Sequence, residues 1–537
     1  MLTPRPDGRL DSRTAVDVPF MAPRLQGVFR TDGRVELALW GSGPQGEVRV
    51  RAPAGPFVHF PNGVAAAAGG LYVAQSRPAL LIEGADLRDG APGAGAAGLA
   101  VRRCGAGLVI AAGADPAELA AAQQMAPQAI RAEAEAHAAA CDRLPEADPE
   151  LRSLVLFGVH AGLASVRRGA DGAFSGLAAG LAYSAPARSY FRDAYWSCAL
   201  LLQIAPAIVR RQIDLLAGGV QPDGEAPSGV IVGGPAQLRA WEAARLADPA
   251  MADAHRRSGE WWSDHFDSPL FFVLMVADYV RATADSAAAE AHWDRLVAIH
   301  RRYAALAAAD GLPHKPRHDR DWADNVFRSG LVAYDLGLWG GAAAAMAELA
   351  QSRDSGLASE ARAAVERART AISARLWRPS GWPSDYLAED GFAEDHLALD
   401  AVTLAAFDLL PAASVRSFLA AVEERLQRPW GLACVHPPYR RRSDLRAKSA
   451  FPGRYHNGGD WPWLDGLYAR ERLRRGLGGW RRPLTGWWRT CLARGWPAAV
   501  EHFSPTFGRG SLIQAWSSLP AAAALAHRDA VLTGDPG

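Results

Sequence analysis

The apolar positions follow one period near the start of the chain and another over the rest of it. Between Gly27 and Trp40, two short apolar runs flank Thr31-Asp32-Gly33. The second run puts Val35, Leu37 and Leu39 on alternate positions, the period of a half-buried strand, and an Asp-Gly pair suits a tight hairpin turn. Further short runs lie at Val48–Val50, Phe57–Phe60, Leu71–Val73, Leu80–Ile82 and Leu108–Ile110. Gly and Pro punctuate them, including the loop from Gly90 to Gly98. This pattern predicts a small antiparallel β-sandwich over residues 1–114.

The period changes at Asp115. Asp115-Pro116-Ala117-Glu118 combines a capping side chain, a proline in the first turn and a Glu three residues after the cap. From there almost every long segment has helical spacing, about a dozen helices in all. They are expected to start near Leu151, Asp193, Ser268, Ala287, Val326, Ser359, Leu397, Ala413, Gly458 and Gly510. Val332, Leu336 and Trp339 share one helical face, and Leu397, Val402 and Leu404–Leu410 form a very apolar segment. Ser268-Pro269 is again a cap followed by proline. Polar, aromatic loops cover 311–325, 377–395 and 437–457. Loops of that length in a compact domain are more often functional than idle. A helical linker over 115–147 and a helical domain over 148–537 are expected. No convincing short repeat supports a solenoid. Six inner helices surrounded by six outer ones, an (α/α)6 toroid with its site where the loops gather at one end, is the mainly α fold expected after the β domain.

Composition narrows the class. The chain has 537 residues, 49% hydrophobic and 21% charged, which suits a globular protein of two domains. With 58 basic and 57 acidic residues, the balance gives no reason to expect nucleic acid or an anionic membrane as partner. MLTPRPDGRLDSRTAVD has charges and prolines where a secretory signal needs an apolar core, so none is expected. The apolar run from Leu270 to Ala277 is too short to span a bilayer. The five cysteines, Cys104, Cys141, Cys198, Cys434 and Cys491, are scattered and form no CxxC pair or Cys/His cluster. That argues against zinc and against a disulfide framework, and suits a reducing cytoplasm.

Candidate chemistry crowds into four loops. In Ser189–Trp196, Tyr190, Arg192 and Asp193 could orient sugar hydroxyls while rings stack on the apolar sugar face; a capping Asp with a structural ion pair is the plainer alternative. In Asp319–Asn325, thought to open the helix near Val326, Asp324 could be a general acid, its pKa raised by a desolvating neighbour such as Trp322. Acidic residues are favourable at any helix N-terminus, which is the plain explanation there. In Tyr455–Trp463, Gly458 and Gly459 permit close backbone approach, Tyr455 and Trp461 offer stacking faces, and His456, Asn457 and Asp460 offer hydroxyl partners. In Glu501–Gly510, followed by Gln514–Ser518 with Trp516, Glu501 is the candidate general base, although a surface Glu is the commoner fate. Glu225 and the acids between Asp385 and Asp400 compete for either role, most of the latter expected to be solvated.

The chain resembles the (α/α)6 glycoside hydrolases grouped around amylo-α-1,6-glucosidases, glycoside hydrolase family 63 and the neutral invertases. The matching segments are Tyr190–Asp193, Asp267–Leu270, Trp322–Asn325, Tyr455–Gly459 with Trp461-Pro462, and Glu501–Gly508 with Gln514–Ser517, in the family's order over roughly 185–520. The resemblance implies Asp324 as acid and Glu501 as base. It also implies a sugar subsite lined by Arg192, Asp193 and the Tyr455–Trp463 loop. Most such relatives invert α-glucosides, so the expectation is an inverting hydrolase of a carbohydrate substrate, with no cofactor or metal. A glycoside phosphorylase and a non-catalytic carbohydrate-binding toroid are the alternatives. The basic stretch Pro437–Arg454 fits no motif; it is expected to be a solvated surface, or else to meet an acidic sugar or aglycone.

Overall fold

The structure is a computed structural model. It describes ten strands within residues 2–112, a short stretch at 123–130, and then 148–168, 174–180, 188–231 and 265–536, leaving out 308, 318, 495–498, 505, 507 and 512. The ten strands form two antiparallel sheets, one of six strands and one of four. Arg24–Phe29 and Val35–Trp40 pair with Phe29 opposite Val35, the hairpin expected around Asp32-Gly33. The expected strand at Phe57–Phe60 and most of the linker lie outside the described residues.

Twelve helices build the ring and its outer layer: α1 Pro149–Ala164, α2 Phe191–Ile204, α3 Pro206–Ala217, α4 Ser268–Thr283, α5 Trp293–Leu306, α6 Ala333–Ala350, α7 Ser355–Arg375, α8 Val402–Ala406, α9 Ala412–Arg425, α10 Pro462–Arg474, α11 Arg481–Ala493 and α12 Leu519–Ala526. The even-numbered helices touch in the order α2, α4, α6, α8, α10, α12 and back to α2, a closed inner ring. Odd-numbered helices pack outside it, α3 on α2 and α4, α5 on α4 and α6, and α1 across α2 and α12. Polarity explains the division. α4 is buried without a break from Ser268 to Ala277, and α6 is buried on all faces, as helices inside a domain must be. α7 instead buries one stripe, Leu357, Ala358, Ala361, Ala364, Val365, Ala368, Ala371 and Ile372.

Three expected helix starts are misplaced, each for a physical reason. Near Gly510 the chain leaves the hairpin of Phe503–Ser504 with Gly508–Arg509 and passes through a 3-10 turn, so the helix begins only at Leu519. No helix begins near Val326. Lys315 and Gly330 exchange main-chain hydrogen bonds, and Leu331–Val332 joins a three-stranded ladder with Tyr386–Leu387 and Ala393–Glu394 before α6 can start. The apolar run from Leu397 opens as a strand against Val435–His436, continues as a 3-10 turn and yields only the five residues of α8. Its residues lie against a small-residue face of α6. A Cβ on Gly340 would stand 2.4 Å from Leu409 and one on Gly341 2.4 Å from Phe407, so the two elements approach where no side chain fits.

One buried cation organises the end of the ring where the loops gather. Arg328 is 0% exposed. Its Nη2 donates to Asp321 Oδ1 (2.7 Å) and its Nη1 to Asp385 Oδ1 (2.8 Å) and Asp400 Oδ2 (2.6 Å). Asp385 Oδ2 also faces His396 Nε2 at 3.0 Å, and Glu394 accepts from Arg440 Nε at 2.7 Å. The expectation that these acids are solvated is therefore wrong for Asp385, Glu394 and Asp400, which are buried; Glu389 and Asp390 are exposed, and Asp395 pairs with Arg378. A cation taken out of water needs anionic partners, and an alternating count of charges along the chain does not reveal which acids supply them. Glu225 pairs with Arg302 of α5 at 3.7 Å.

Replacing Arg328 with Met leaves buried carboxylates without their cation. The expected loss is about 3–5 kcal/mol of stability, read from the urea unfolding midpoint. A loss below about 1 kcal/mol, the level of an exposed pair, would contradict the central role of this residue.

Candidate active site

The loops leading into the inner helices carry the residues singled out from the sequence. The short ladder of Arg188–Tyr190 with Gly229–Ile231 hands the chain directly to α2, placing Arg192 and Asp193 in its first turn. Arg192 Nη1 donates to Asp267 Oδ2 at 3.0 Å, and the Tyr334 hydroxyl donates to the same oxygen at 3.3 Å. One carboxylate thus ties the starts of α2, α4 and α6, and Asp267 makes no side-chain cap to its own helix. Burial pushes Asp267 up, but Arg192 beside it holds the carboxyl below the usual range. Asp193 Oδ1 accepts from Gln514 Nε2 at 3.1 Å, in the segment leading to α12. Burial raises Asp193 to about 7, with Arg192 opposing the shift and Glu501 adding to it. Tyr190 stands to one side, half-buried, its hydroxyl accepting from Arg188 Nη1 at 3.1 Å.

Trp322 is buried and donates its indole N–H to Asp400 Oδ2 at 2.5 Å. Its ring meets His456, Trp461 and Trp463 edge-on at 4.9, 5.3 and 5.4 Å. Two residues on, Asp324 Oδ1 accepts from Asn325 Nδ2 at 2.7 Å and lies 3.8 Å from His456 Nδ1, its side chain 18% exposed. His456 stacks on Trp461 at 4.9 Å with the rings 17° apart. It is buried, and neither ring nitrogen has a hydrogen-bond partner. Burial first, and then His502, hold it well below the ordinary histidine range. It is therefore neutral, and its contact with Asp324 is not an ion pair.

Tyr455 takes a left-handed φ of 51° and packs against His456, Trp461 and His502 at 4.1, 5.0 and 4.7 Å. Its carbonyl accepts from Trp461 Nε1 at 3.2 Å. Both ends of the Asn457 amide are committed to main chain: Oδ1 accepts from Tyr439 N–H and Nδ2 donates to Ser449 C=O, each at 3.0 Å. Asn457 and Gly458 also line a cavity of about 230 Å³ with Trp430, His436, Ser504 and Thr506; neither Asp324 nor Glu501 reaches that cavity. Trp516 is buried against Trp461 and Trp463 at 5.8 and 5.7 Å, its indole N–H unpartnered.

Glu501 is held by its own loop. Ser511 N–H donates to Oε2 at 3.0 Å, and a Cβ on Gly510 would lie 2.4 Å from that oxygen. Asp460 and Phe503 exchange main-chain hydrogen bonds of 2.9 and 3.0 Å, fastening this loop to the lead into α10. Tyr455 connects the two ends of the site. Burial pushes its hydroxyl far up, and the charges of Asp324 and Glu501 push it further. Arg192 also feels Asp324, and Asp193 feels Glu501. The carboxylates picked out from distant loops thus act on the same few side chains.

Several residues of this arrangement were not singled out one by one: Asp267, Tyr334, Trp463, His502 and Gln514. All but Tyr334 stand inside the segments that carry the family resemblance or in the aromatic loop, so a signal existed. Tyr334 carried none. Among the described residues, no group of three or more His, Cys, Asp or Glu is placed to hold a metal ion.

A closed ring of inner helices with a polar, aromatic mouth is a glycosidase-type toroid. Residues 336–522 match the family described as amylo-alpha-1,6-glucosidase. No curated protein matches the chain. Among solved structures, the rhamnosidase from Klebsiella oxytoca with rhamnose bound is similar at 17% identity and TM-score 0.54, over 73% of this chain and 66% of that one. The GH78 family rhamnosidase of Bacillus sp. GL1 aligns at 15% identity and TM-score 0.50, over 70% of this chain and 35% of that one. The GH63 mannosylglycerate hydrolase from Thermus thermophilus in complex with glucose aligns at 14% identity and TM-score 0.50, over 69% and 99%. The chain spans less than two thirds of the two rhamnosidases. Structural likeness at these identities establishes the fold. Together with the family match it bears out the resemblance to the (α/α)6 glycoside hydrolase group and supports glycosidase activity. Among the described residues, no helix is long and apolar enough to cross a membrane.

The raised pKa of Asp193 has a stability consequence. Between the unfolded value of 3.8 and about 7, the folded chain holds a proton that the unfolded chain has lost. Stability contributed by this group is full below pH ~4 and falls as pH rises to about 7, by about 1.4 kcal/mol per pH unit. Asp193→Asn should flatten that slope in urea titrations run across the window. An unchanged slope would show that Asp193 is ionised in the folded protein.

Proposed function

We propose that the protein is an inverting glycoside hydrolase of an α-linked gluco-oligosaccharide or related small glycoside, with Asp324 as general acid and Glu501 as general base. The observation that carries this reading is geometric: Asp324 lies 3.8 Å from His456, and the Tyr455 ring packs on both His456 and His502, the residue next to Glu501. The description of the matching family, amylo-alpha-1,6-glucosidase, favours an α-glucoside over the rhamnose and mannosylglycerate named for the structural neighbours.

The chemistry follows from the contacts. Asn325 occupies Asp324 Oδ1, leaving Oδ2 to carry a proton. Asp324 gives that proton to the glycosidic oxygen as the C1–O bond breaks. Ser511 N–H holds the Glu501 carboxylate through Oε2, and the carboxylate takes a proton from water. The water oxygen bonds C1 from the opposite face. The products are a free alcohol and a sugar of inverted anomer; Asp324 ends ionised and Glu501 protonated, and exchange with solvent resets both. Such a pair stands about 6.5–9.5 Å apart to admit the water. Neutral His456 offers one donor and one acceptor to sugar hydroxyls. Arg192 and Asp193 add further hydroxyl partners, and Trp322, Tyr455, Trp461 and Trp516 supply apolar faces. Two carboxylates and water suffice for the reaction, so the reading calls for no cofactor. The described cysteines Cys104, Cys198, Cys434 and Cys491 are unpaired, which suits the cytoplasm as its place of action.

A panel of disaccharides and oligosaccharides, with the first-formed anomer read by proton NMR, tests the reading. Inversion is expected; a retained anomer removes the inverting assignment, and no hydrolysis across the panel removes the enzyme. Asp324→Asn and Glu501→Gln should each lower kcat by about 100- to 10,000-fold while sugar still binds. Gly510→Ala should push into the Glu501 carboxylate. A displacement of that size costs about 100-fold in kcat, with the thermal midpoint little changed. Full activity in Gly510→Ala would mean that Glu501 does not act from the position described.

A further inference from the structure

The basic stretch Pro437–Arg454, which the reaction leaves unused, is bonded to the turn that carries Asp324. Phe327 N–H donates to Asp444 C=O at 2.8 Å, and Arg446 N–H donates to Asn325 C=O at 3.0 Å. Two cations of the stretch have acidic partners, Arg440 with Glu394 and Arg441 with Asp390, and Arg317 reaches Asp444 from outside it. Arg446 and Lys448 differ. Among the described residues, neither has a carboxylate within ion-pair distance. The Arg446 guanidinium lies over the Phe327 ring, 3.4 Å from its centroid, and Lys448 Nζ stands 4.8 Å from the centroid of Tyr455. A guanidinium laid by its face on a ring keeps its N–H edge for a planar anion.

The surroundings of Arg446 are short of negative charge. It is half-buried, and burial together with Arg320 presses it below its usual range, with only Asp324 working the other way. A solvated surface arginine would not be packed in this way. The side of the bond also follows. A general acid stands by the leaving group, so a residue bonded to the main chain next to Asp324 lies on the aglycone side.

We propose that Arg446, assisted by Lys448, forms an aglycone subsite for a carboxylate, so that the favoured substrate is a glycoside whose leaving group is negatively charged. The proposal rests on Asp324 being the general acid. The subsite would bind the aglycone before bond cleavage and retain no role in the proton transfers.

The test uses a matched pair of substrates: the 4-carboxyphenyl glycoside of the sugar found by the panel, and its methyl ester. The measured quantity is the ratio of kcat/KM for acid over ester. Comparing this ratio between variants cancels the intrinsic difference of the two leaving groups. Arg446→Ala should lower it about 10- to 100-fold, the scale of a lost charge-assisted hydrogen bond. Arg446→Lys should retain much of it, and Lys448→Ala, at an exposed position, should lower it less. In the unmodified enzyme, added salt should shrink the ratio. A ratio insensitive to salt and unchanged in Arg446→Ala and Lys448→Ala, with both glycosides hydrolysed, overturns the subsite and leaves the assignment of Asp324 and Glu501 standing. Hydrolysis of neither glycoside, nor of anything in the panel, removes that assignment and the subsite with it.

Discussion

The Arg328 guanidinium is the charge around which the mouth of the toroid is assembled. No water reaches it, so protein carboxylates must balance it, and Asp321, Asp385 and Asp400 do so from separate segments. Each of those acids then fixes something else. Asp400 takes the Trp322 indole N–H, and Asp321 accepts from Ala323 N–H at 2.7 Å, which sets the course of the chain into Asp324. Asp385 holds His396, and the neighbouring Glu394 anchors Arg440 at the start of the basic loop. The proposed acid and the proposed aglycone loop are thus positioned from one buried cation, through contacts that rotamer freedom cannot loosen one at a time.

Burial and charge pull the acids of this region in opposite directions. The inner helices present their N-termini to the site, an arrangement that favours negative charge. Asp267, beside Arg192, stays ionised. Asp335, with both carboxyl oxygens unpartnered, is pushed far up by burial and by Asp321, and so is neutral. Burial does the same to the adjoining Asp460 and Asp465. Acids of identical chemistry therefore stand in different protonation states near the starts of the inner helices, Asp267 held down by Arg192 and Asp335, Asp460 and Asp465 held up by burial.

What could be read from the sequence follows from how local each signal is. Helix starts marked by Pro, as at Pro149, Pro206, Pro269 and Pro462, fall where the chain turns into a helix, because proline acts within one turn. Val326 and Leu397 misled because tertiary pairing, with Tyr386–Leu387 in one case and Val435–His436 in the other, overrode a helical pattern. Asp324, Glu501 and the aromatic loop stand out in the sequence because unusual residues crowd together along the chain. Tyr334 is ordinary in sequence and becomes notable only when α2, α4 and α6 bring it together with Arg192 and Asp267. The burial of Asp385 and Asp400 could not be read at all, since the cation that requires it lies many residues away.

The ring has a seam. Its first inner helix, α2, is joined to its last, α12, by Gln514 on Asp193 and by the packing of the two helices. During synthesis, everything that lines the chamber except the Glu501 loop and Trp516 can emerge and fold before that seam can form. A nascent chain is therefore an open horseshoe with its apolar inner faces uncovered until residue 526 has cleared the ribosome, and until then the inner surface of the ring is a surface for chaperones.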